Sequence, residues 1–467
     1  MRVKLLADIT PLRESPAFRR MWAGGVLSAV GGALTNFAVT LQVYELTRSP
    51  AAVGLLGLAV LVPTLAVGLF GGAAADALDR RKVVLAATAA EALVSAALAA
   101  QAYAGLGWVW LLYVLVAVAS AVEAVNVPAR RTVLAALLPP GQLAAGQALN
   151  RLTFQVMMTV GPALAGIIVA APHLGFGGCY LIDSASFAAA AYGAVRLPSV
   201  GNKGSSPERT RLSAVTAGVS FIRRTPVLAG AFLADLNATF FGLPTSLFPA
   251  INAERFGGDP RTLGLFTTAI GVGGLATAVL SGPLRHVSRQ GLVMLATVCV
   301  WGASFAVFAL AASLWLTLLS LAVAGAADTI TVVLRGTIVQ TVTPDEFRGR
   351  VTAAEYVAGL GGGELGSLEA GLLGSLTTPV ISALTGGLLT MAGAVVIGVA
   401  LPAFARYRPA PATSPSPPAA EDAGPPPGAE GTVDDAARGD IGGLAGEVRG
   451  RATGRCRTVR AAARIGA

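Results

Sequence analysis

Histidine is nearly absent, with only His173 and His286, and the three cysteines Cys179, Cys299 and Cys456 lie far apart. An odd and scattered cysteine set builds neither a disulfide framework nor a metal site. Two isolated histidines are too few for a zinc centre or a hydrolase triad and read as helix-end residues. Charged residues are also scarce, 13% of 467 against about 25% in soluble domains. Aromatics reach only 6% and interleave with no basic patch, which argues against a nucleic-acid surface despite the net charge of +9. No phosphate loop ending in Gly-Lys-Ser/Thr is present, so nothing points to ATP. The glycine run from Gly271 to Gly274 follows no strand and has no acidic partner downstream, which rejects a dinucleotide site. No cofactor is implied, and no nucleophile or metal constellation supports an enzyme.

What is abundant is apolar: 54% hydrophobic residues and a mean hydropathy of +0.68 define an integral membrane protein. The polar start, with Arg2, Lys4, Arg13, Arg19 and Arg20, lacks the short apolar core and small residues of a cleavable leader, so the first span is expected to direct insertion. Runs of about 20 apolar residues are long enough to cross a bilayer. They predict an all-α membrane protein with twelve transmembrane helices near 22–44, 52–75, 83–103, 108–128, 143–170, 174–195, 226–249, 263–284, 291–311, 313–334, 351–373 and 377–401. Lys and Arg up to Arg408 gather on one side of this arrangement. The other side holds Arg48, Arg255 and Arg261, and Arg151 falls inside a span. Cytoplasmic loops collect Lys and Arg, so both termini are expected in the cytoplasm of a cell whose cytoplasmic membrane holds the chain.

The spans divide into two six-helix halves, 1–195 and 226–401. Between them, 196–225 reads as a cytoplasmic linker with a flexible start at Asn202–Pro207 and an amphipathic helix carrying Leu212, Val215, Val219, Phe221 and Ile222. A plain loop is the alternative. The halves read as an internal repeat: Glu123 aligns with Asp328, Arg130 with Arg335, Thr132 with Thr337, Pro139 with Pro344 and Asn150 with Glu355. Residues 402–467, rich in proline and poor in large apolar side chains, read as a disordered cytoplasmic tail. Its late arginines, from Arg449 to Arg464, are candidates for anionic lipid.

The loop between the second and third spans, Gly72-Ala73-Ala74-Ala75-Asp76-Ala77-Leu78-Asp79-Arg80-Arg81-Lys82, is the most informative stretch. Gly72, Asp76, Arg80 and Arg81 fall on the fixed positions of a Gly-x-x-x-Asp-x-x-x-Arg-Arg/Lys signature, and the chain resembles the major facilitator superfamily on that basis. Two positions depart from it: Ala77 stands where a basic residue is usual, and Asp79 where a glycine is usual. The Asp-Arg-Arg form, with Glu14–Trp22 and Tyr44–Pro50, resembles the drug and siderophore exporter subgroup. In the second half the matching loop, Gly282–Gly291, keeps Arg285, His286 and Arg289 but lacks the aspartate. Gly161-Pro162-Ala163-Leu164-Ala165-Gly166 is similar to the kink segment of the superfamily's antiporters, with Gly161, Pro162 and Gly166 matching. The resemblance implies a secondary active transporter working by alternating access, most simply a monomer exchanging protons for an exported siderophore or amphipathic drug. Asp76 would then act as a gating residue, meeting a helix N-terminus in one conformation and releasing it in the other. An importer or facilitator of a small metabolite, or a sensor or scaffold of the same fold, remains the alternative.

Ionisable residues inside spans need a reason to be there, because each costs roughly 2.5–3.5 kcal/mol at the bilayer centre. Asp183 and Asp235 lie near the midplane and are the first proton or substrate candidates; Glu91, Glu364 and Arg151 join them. For each carboxyl, satisfaction by a Ser, Asn or Arg of a neighbouring helix is the competing reading. Glu123 with Arg130, and Asp328 with Arg335, stand two helical turns apart and share a helix face, which reads as a charge network of structural or transport role.

Overall fold

The computed structural model describes residues 8–70, 79–195, 211–280, 282 and 287–409, and its first long helix, α1 (Pro16–Thr47), shows how the chain punctuates its elements. The Ser15 hydroxyl accepts from the Phe18 N–H at 3.2 Å, and Pro16 fills the first helical position, where no N–H is needed. At the far end Arg48 adopts the left-handed region at φ 53°, its N–H donating to the Tyr44 carbonyl at 2.7 Å. This reverses the chain within two residues, and Pro50 opens α2 (Pro50–Phe70).

Then follow α3 (Arg80–Tyr103), α4 (Val109–Ala136), α5 (Leu143–Val169) and α6 (Gly175–Val195). After α7 (Arg211–Arg224) come α8 (Pro226–Phe241), α9 (Phe248–Phe256), α10 (Pro260–Val279), α11 (Gln290–Leu310), α12 (Leu314–Val342), α13 (Asp345–Leu376) and α14 (Pro379–Ala400). No strand occurs among the described residues. Among the described residues, ten helical stretches are long and apolar enough to cross a membrane: α1 to α5, the stretch Pro226–Phe256 spanning α8 and α9, α10, α11, α12 and α14. The helices α6 and α13 are also long and pack among them.

Several boundaries differ from the sequence expectation. The stretch expected as one helix at 226–249 breaks after Phe241, where Gly242, Leu243 and Pro244 lead through a short turn, Thr245–Leu247, into α9. Conversely, α4 runs past 128 through Pro128 to Ala136, and α12 runs past 334 to Val342. Apolar runs end at the first charges, whereas backbone hydrogen bonding carries the helix on into polar residues. The expected disordered tail does not begin at 402: Pro402–Ala405 forms a short helix whose Phe404 is buried against α8 and α11. The tail from 410 on, the start of the linker, and Gly72 and Asp76 of the signature loop lie outside the described residues.

Small residues set the packing, as expected where lipid supplies no hydrophobic drive between helices. At Gly24 of α1, a Cβ would come within 2.7 Å of the Ala189 carbonyl oxygen of α6. Gly273 of α10 lies against the Ala322 backbone of α12, and Gly325 of α12 against that of Ile270. An aromatic cluster fastens α9 to α10 and α11, with Phe248 centred 5.9 Å from Phe266 and 5.3 Å from Phe308. Trp108 and Trp110, stacked at 5.9 Å, and the 83% exposed Trp315 mark the starts of α4 and α12, where membrane proteins place interfacial aromatics.

The early and late helices meet along two seams, α2 with α13 and α5 with α10. On the first, Ser375 Oγ accepts from the Ala51 N–H at 2.9 Å and lies 3.4 Å from Ser49 Oγ. On the second, Thr268 donates to the Thr159 carbonyl at 3.1 Å and Gln155 to the Gly271 carbonyl at 2.9 Å. The expected linker helix is α7; Phe221 stacks on Phe347 of α13 with centroids 4.5 Å apart, and Arg350 lies over that ring at 5.0 Å.

Candidate transport site

Asp183 of α6 is 2% exposed. Its Oδ2 accepts from Thr35 of α1 and Ser95 of α3, each at 2.7 Å, so three helices converge on one carboxyl oxygen. Gly31 of α1 makes that approach possible: a Cβ there would stand 2.5 Å from Asp183 Oδ1 and 2.6 Å from Ser186 Oγ. The neighbouring Gly32 faces open space. Gly31→Ala is therefore expected to destabilise by about 1–3 kcal/mol through overpacking, whereas Gly32→Ala should be neutral or stabilise by roughly 0.5–1 kcal/mol. Thermal unfolding of both purified variants beside the parent measures the contrast.

Glu91 of α3, three residues past Thr88 and one turn before Ser95, accepts from the Asn126 amide of α4 at 3.0 and 3.1 Å. Glu123, one turn before Asn126, is exposed yet within electrostatic reach of Arg130, Glu91 and Asp183. Arg130 in turn lies against Gly25 of α1, where a side chain would displace its guanidinium.

In the later helices Arg335 of α12 forms ion pairs with Asp235 of α8 and, at 3.1 Å, with Glu355 of α13. The three side chains are only 15%, 12% and 27% exposed. Asp328, two turns before Arg335, is exposed on α12 but senses the charges of Asp235, Arg335 and, from the early helices, Arg151 of α5. The two-turn spacing read from sequence thus opens into clusters that join different helices.

Gly161, Pro162 and Gly166 lie where α5 meets its neighbours. Gly161 packs on Ala33 of α1, and a Cβ on Gly166 would stand 2.5 Å from the Pro260 carbonyl oxygen at the start of α10. Glu364 lies on the α2–α13 seam beside Gly57. Arg80 donates to the Thr132 hydroxyl of α4 at 2.8 Å and Arg81 to the Val195 carbonyl of α6, tying the start of α3 to the ends of both helices. Asp79 caps α3 by accepting from the Arg81 N–H at 3.0 Å, which gives the residue replacing the usual glycine a structural task.

A further polar cluster lies outside the candidates that charge and position single out. Tyr180 of α6 donates to Gln42 of α1 at 2.7 Å, and Gln42 pairs with Gln101 of α3, whose amide donates at 3.1 Å. The signal was available, since Gln42 and Gln101 are uncharged amides inside otherwise apolar runs.

The described helices form a bundle with glycine-lined seams and ion pairs held between them, and its relatives make it a membrane transporter of the major facilitator type. The chain belongs to the family described as transmembrane secretion effector, whose profile matches residues 6–426; its members are transporters, not enzymes. It is 26% identical over 401 residues to the enterobactin exporter EntS of Citrobacter koseri, covering 86% of this chain and 94% of that one. The enterobactin exporter of Shigella boydii is 26% identical over 397 residues, covering 85% and 93%. Among solved structures, the nucleoside transporter NupG superposes with a TM-score of 0.63 at 14% identity, covering 84% of this chain and all of that one. A bacterial homologue of the iron transporter ferroportin in an inward-facing state gives 0.63 at 15% identity, covering 84% and 99%. At such identities these two likenesses speak for the fold alone.

Proposed function

We propose that this chain is a proton-driven antiporter that exports a siderophore or amphipathic drug across the cytoplasmic membrane by alternating access. In this reading α6 and α13 are membrane crossings too, so that twelve spans form two six-helix halves, α1–α6 and α8–α14, with α7 between them and both termini in the cytoplasm. It works as a monomer. The observation that carries the proposal is the set of ionisable side chains held between helices on both sides of the seams, Asp183 and Glu91 among the early helices and Asp235, Arg335 and Glu355 among the late ones. Ionisable side chains inside membrane helices are rare and mark substrate and proton pathways. The likeness to enterobactin exporters over most of both chains favours export and a siderophore-like cargo.

Arg335 already answers Asp235 and Glu355, so the acidic excess inside α8–α14 is smaller than the residue list implies. Arg151 remains exposed, which suits an anionic catecholate better than a lipophilic cation. The hydrogen bonds across the seams run from the middle of the helices to the end that holds Arg48 and Ser375. That favours a state closed at this end, the exterior one on the charge bias of the loops. The test is reconstitution in liposomes under an imposed pH gradient, following a catecholate siderophore and a lipophilic cation in parallel. Gradient-dependent accumulation of the siderophore is the expected result. Equilibration without accumulation would point to a facilitator, and movement of neither compound would favour a sensor or scaffold.

A further inference from the structure

The Asp183 carboxyl has one contented oxygen and one orphan. Oδ2 accepts two hydroxyl hydrogens, from Thr35 and Ser95, whereas Oδ1 is buried with no donor. The hydroxyl nearest to it, Ser186, lies within reach of the carboxyl but gives its single hydrogen to the main-chain oxygen of Asp183 at 2.7 Å. Gly31 backs onto both atoms so closely that even a methyl group would collide. A buried acceptor without a donor is costly, and a buried ionised one far more so.

Among the described residues, no cation pairs with it. Charged groups around α6 come from the helices packed on it and one beyond. On the α1 side Gly31 and Thr35 face the carboxyl; α3 contributes Glu91, and α4 behind it Glu123, both acids. Arg130 acts on those two acids, and the α5 arginine, Arg151, acts on Asp328. On α6 itself the neighbouring titratable side chains are Cys179 and Tyr180, neither of them cationic.

One proton resolves every mismatch. Placed on Oδ1, it turns the orphan acceptor into a donor, and Ser186 Oγ, whose own hydrogen is committed, has lone pairs to receive it. We propose that Asp183 is a proton-binding site of this transporter, holding its proton on Oδ1 toward Ser186 and apart from the arginine-matched Asp235 and Glu355. Release leads along α3, from Ser95 one turn back to Glu91 and its partner Asn126, then to Glu123, one turn before Asn126 on α4. The assignment deepens the antiport reading, on which its role in coupling rests.

The experiment is pH-difference infrared spectroscopy of the full chain in liposomes, reading the carbonyl stretch of protonated carboxyl groups. Asp183→Asn reproduces the neutral acid, its carbonyl accepting from Thr35 and Ser95 and its amide donating to Ser186, so the fold should be kept. A titrating band present in the parent, lost in Asp183→Asn and shifted in frequency in Ser186→Ala, is the expected result. Gradient-driven transport should fall at least tenfold in Asp183→Asn. A band unchanged by Asp183→Asn would overturn the assignment, as would a parent-like gradient-driven rate in that variant. The infrared reading needs no substrate. A parent that shows the Asp183 band but no gradient-driven transport would therefore sink the antiport reading and leave the proton site standing.

Discussion

Arg335→Ala is expected to cost about 3–5 kcal/mol of stability, the usual penalty for removing one partner of a buried ion pair, and to abolish transport. Arg335 faces two acids on two other helices, Asp235 and Glu355, and the pairs are largely screened from water. Truncation leaves two carboxylates without a cation in the interior, a larger burden than either pair alone. The triple change Arg335→Gln, Asp235→Asn and Glu355→Gln removes all three charges and should regain much of the stability. It should not regain full transport if the cluster moves during the cycle. Thermal unfolding of the purified variants, read beside transport in liposomes, separates the two contributions. Equal stability of parent and Arg335→Ala would show that the ion pairs hold nothing together.

A second large effect is expected at the α2–α13 seam. Ser49 and Ser375 hydroxyl oxygens are 3.4 Å apart, so cysteines there bring their sulfurs near bonding range; a disulfide needs Cβ atoms about 3.5–4.5 Å apart. Oxidising the variant Ser49→Cys with Ser375→Cys should stop transport by more than tenfold, and reduction should restore it, because alternating access requires this end to part. Cys179 is buried and Cys299 partly so, Cys456 lies outside the described residues, and variants with one introduced cysteine control for all three. Undiminished transport in the fully cross-linked protein would show that the seam does not open.

Much of this arrangement was legible in the sequence because membrane helices are written in length and apolarity. Ten of the expected spans, the linker helix and the placement of Asp183 and Asp235 inside helices follow from those two properties. The partners did not follow. Glu123 with Arg130, and Asp328 with Arg335, share a helix face and act on each other electrostatically across about 10 Å of rise, but the direct partners of Arg335 lie on other helices. It reaches Asp235 and Glu355, far away in sequence, and no periodicity reports such contacts. The competing reading for the interior carboxyls, satisfaction by a neighbouring helix, describes three of them well: Thr35 and Ser95 for Asp183, Asn126 for Glu91, and Arg335 for Asp235. Only the geometry around Asp183 shows that its satisfaction is half complete. The break after Phe241 escaped notice because Gly242 and Pro244 sit in a run apolar enough to be counted as one helix.

The signature loop shows the opposite balance. Its arginines were legible as cations at one end of the bundle, but their bonds to Thr132 and Val195 tie α3 to α4 and α6. That leaves the gating task proposed for this loop to Asp76. Asp76→Asn should lower transport while leaving expression near the parent level, and equal loss of both would contradict a gating role.

The most direct test of the account is to load liposomes containing the protein with a pH-sensitive dye, add a catecholate siderophore outside with no gradient imposed, and read the lumenal pH. Antiport predicts that siderophore entering the lumen drives protons out, so the lumen turns alkaline, and that Asp183→Asn abolishes the change. A lumen that turns acidic, or stays constant while siderophore enters, would contradict proton-driven export.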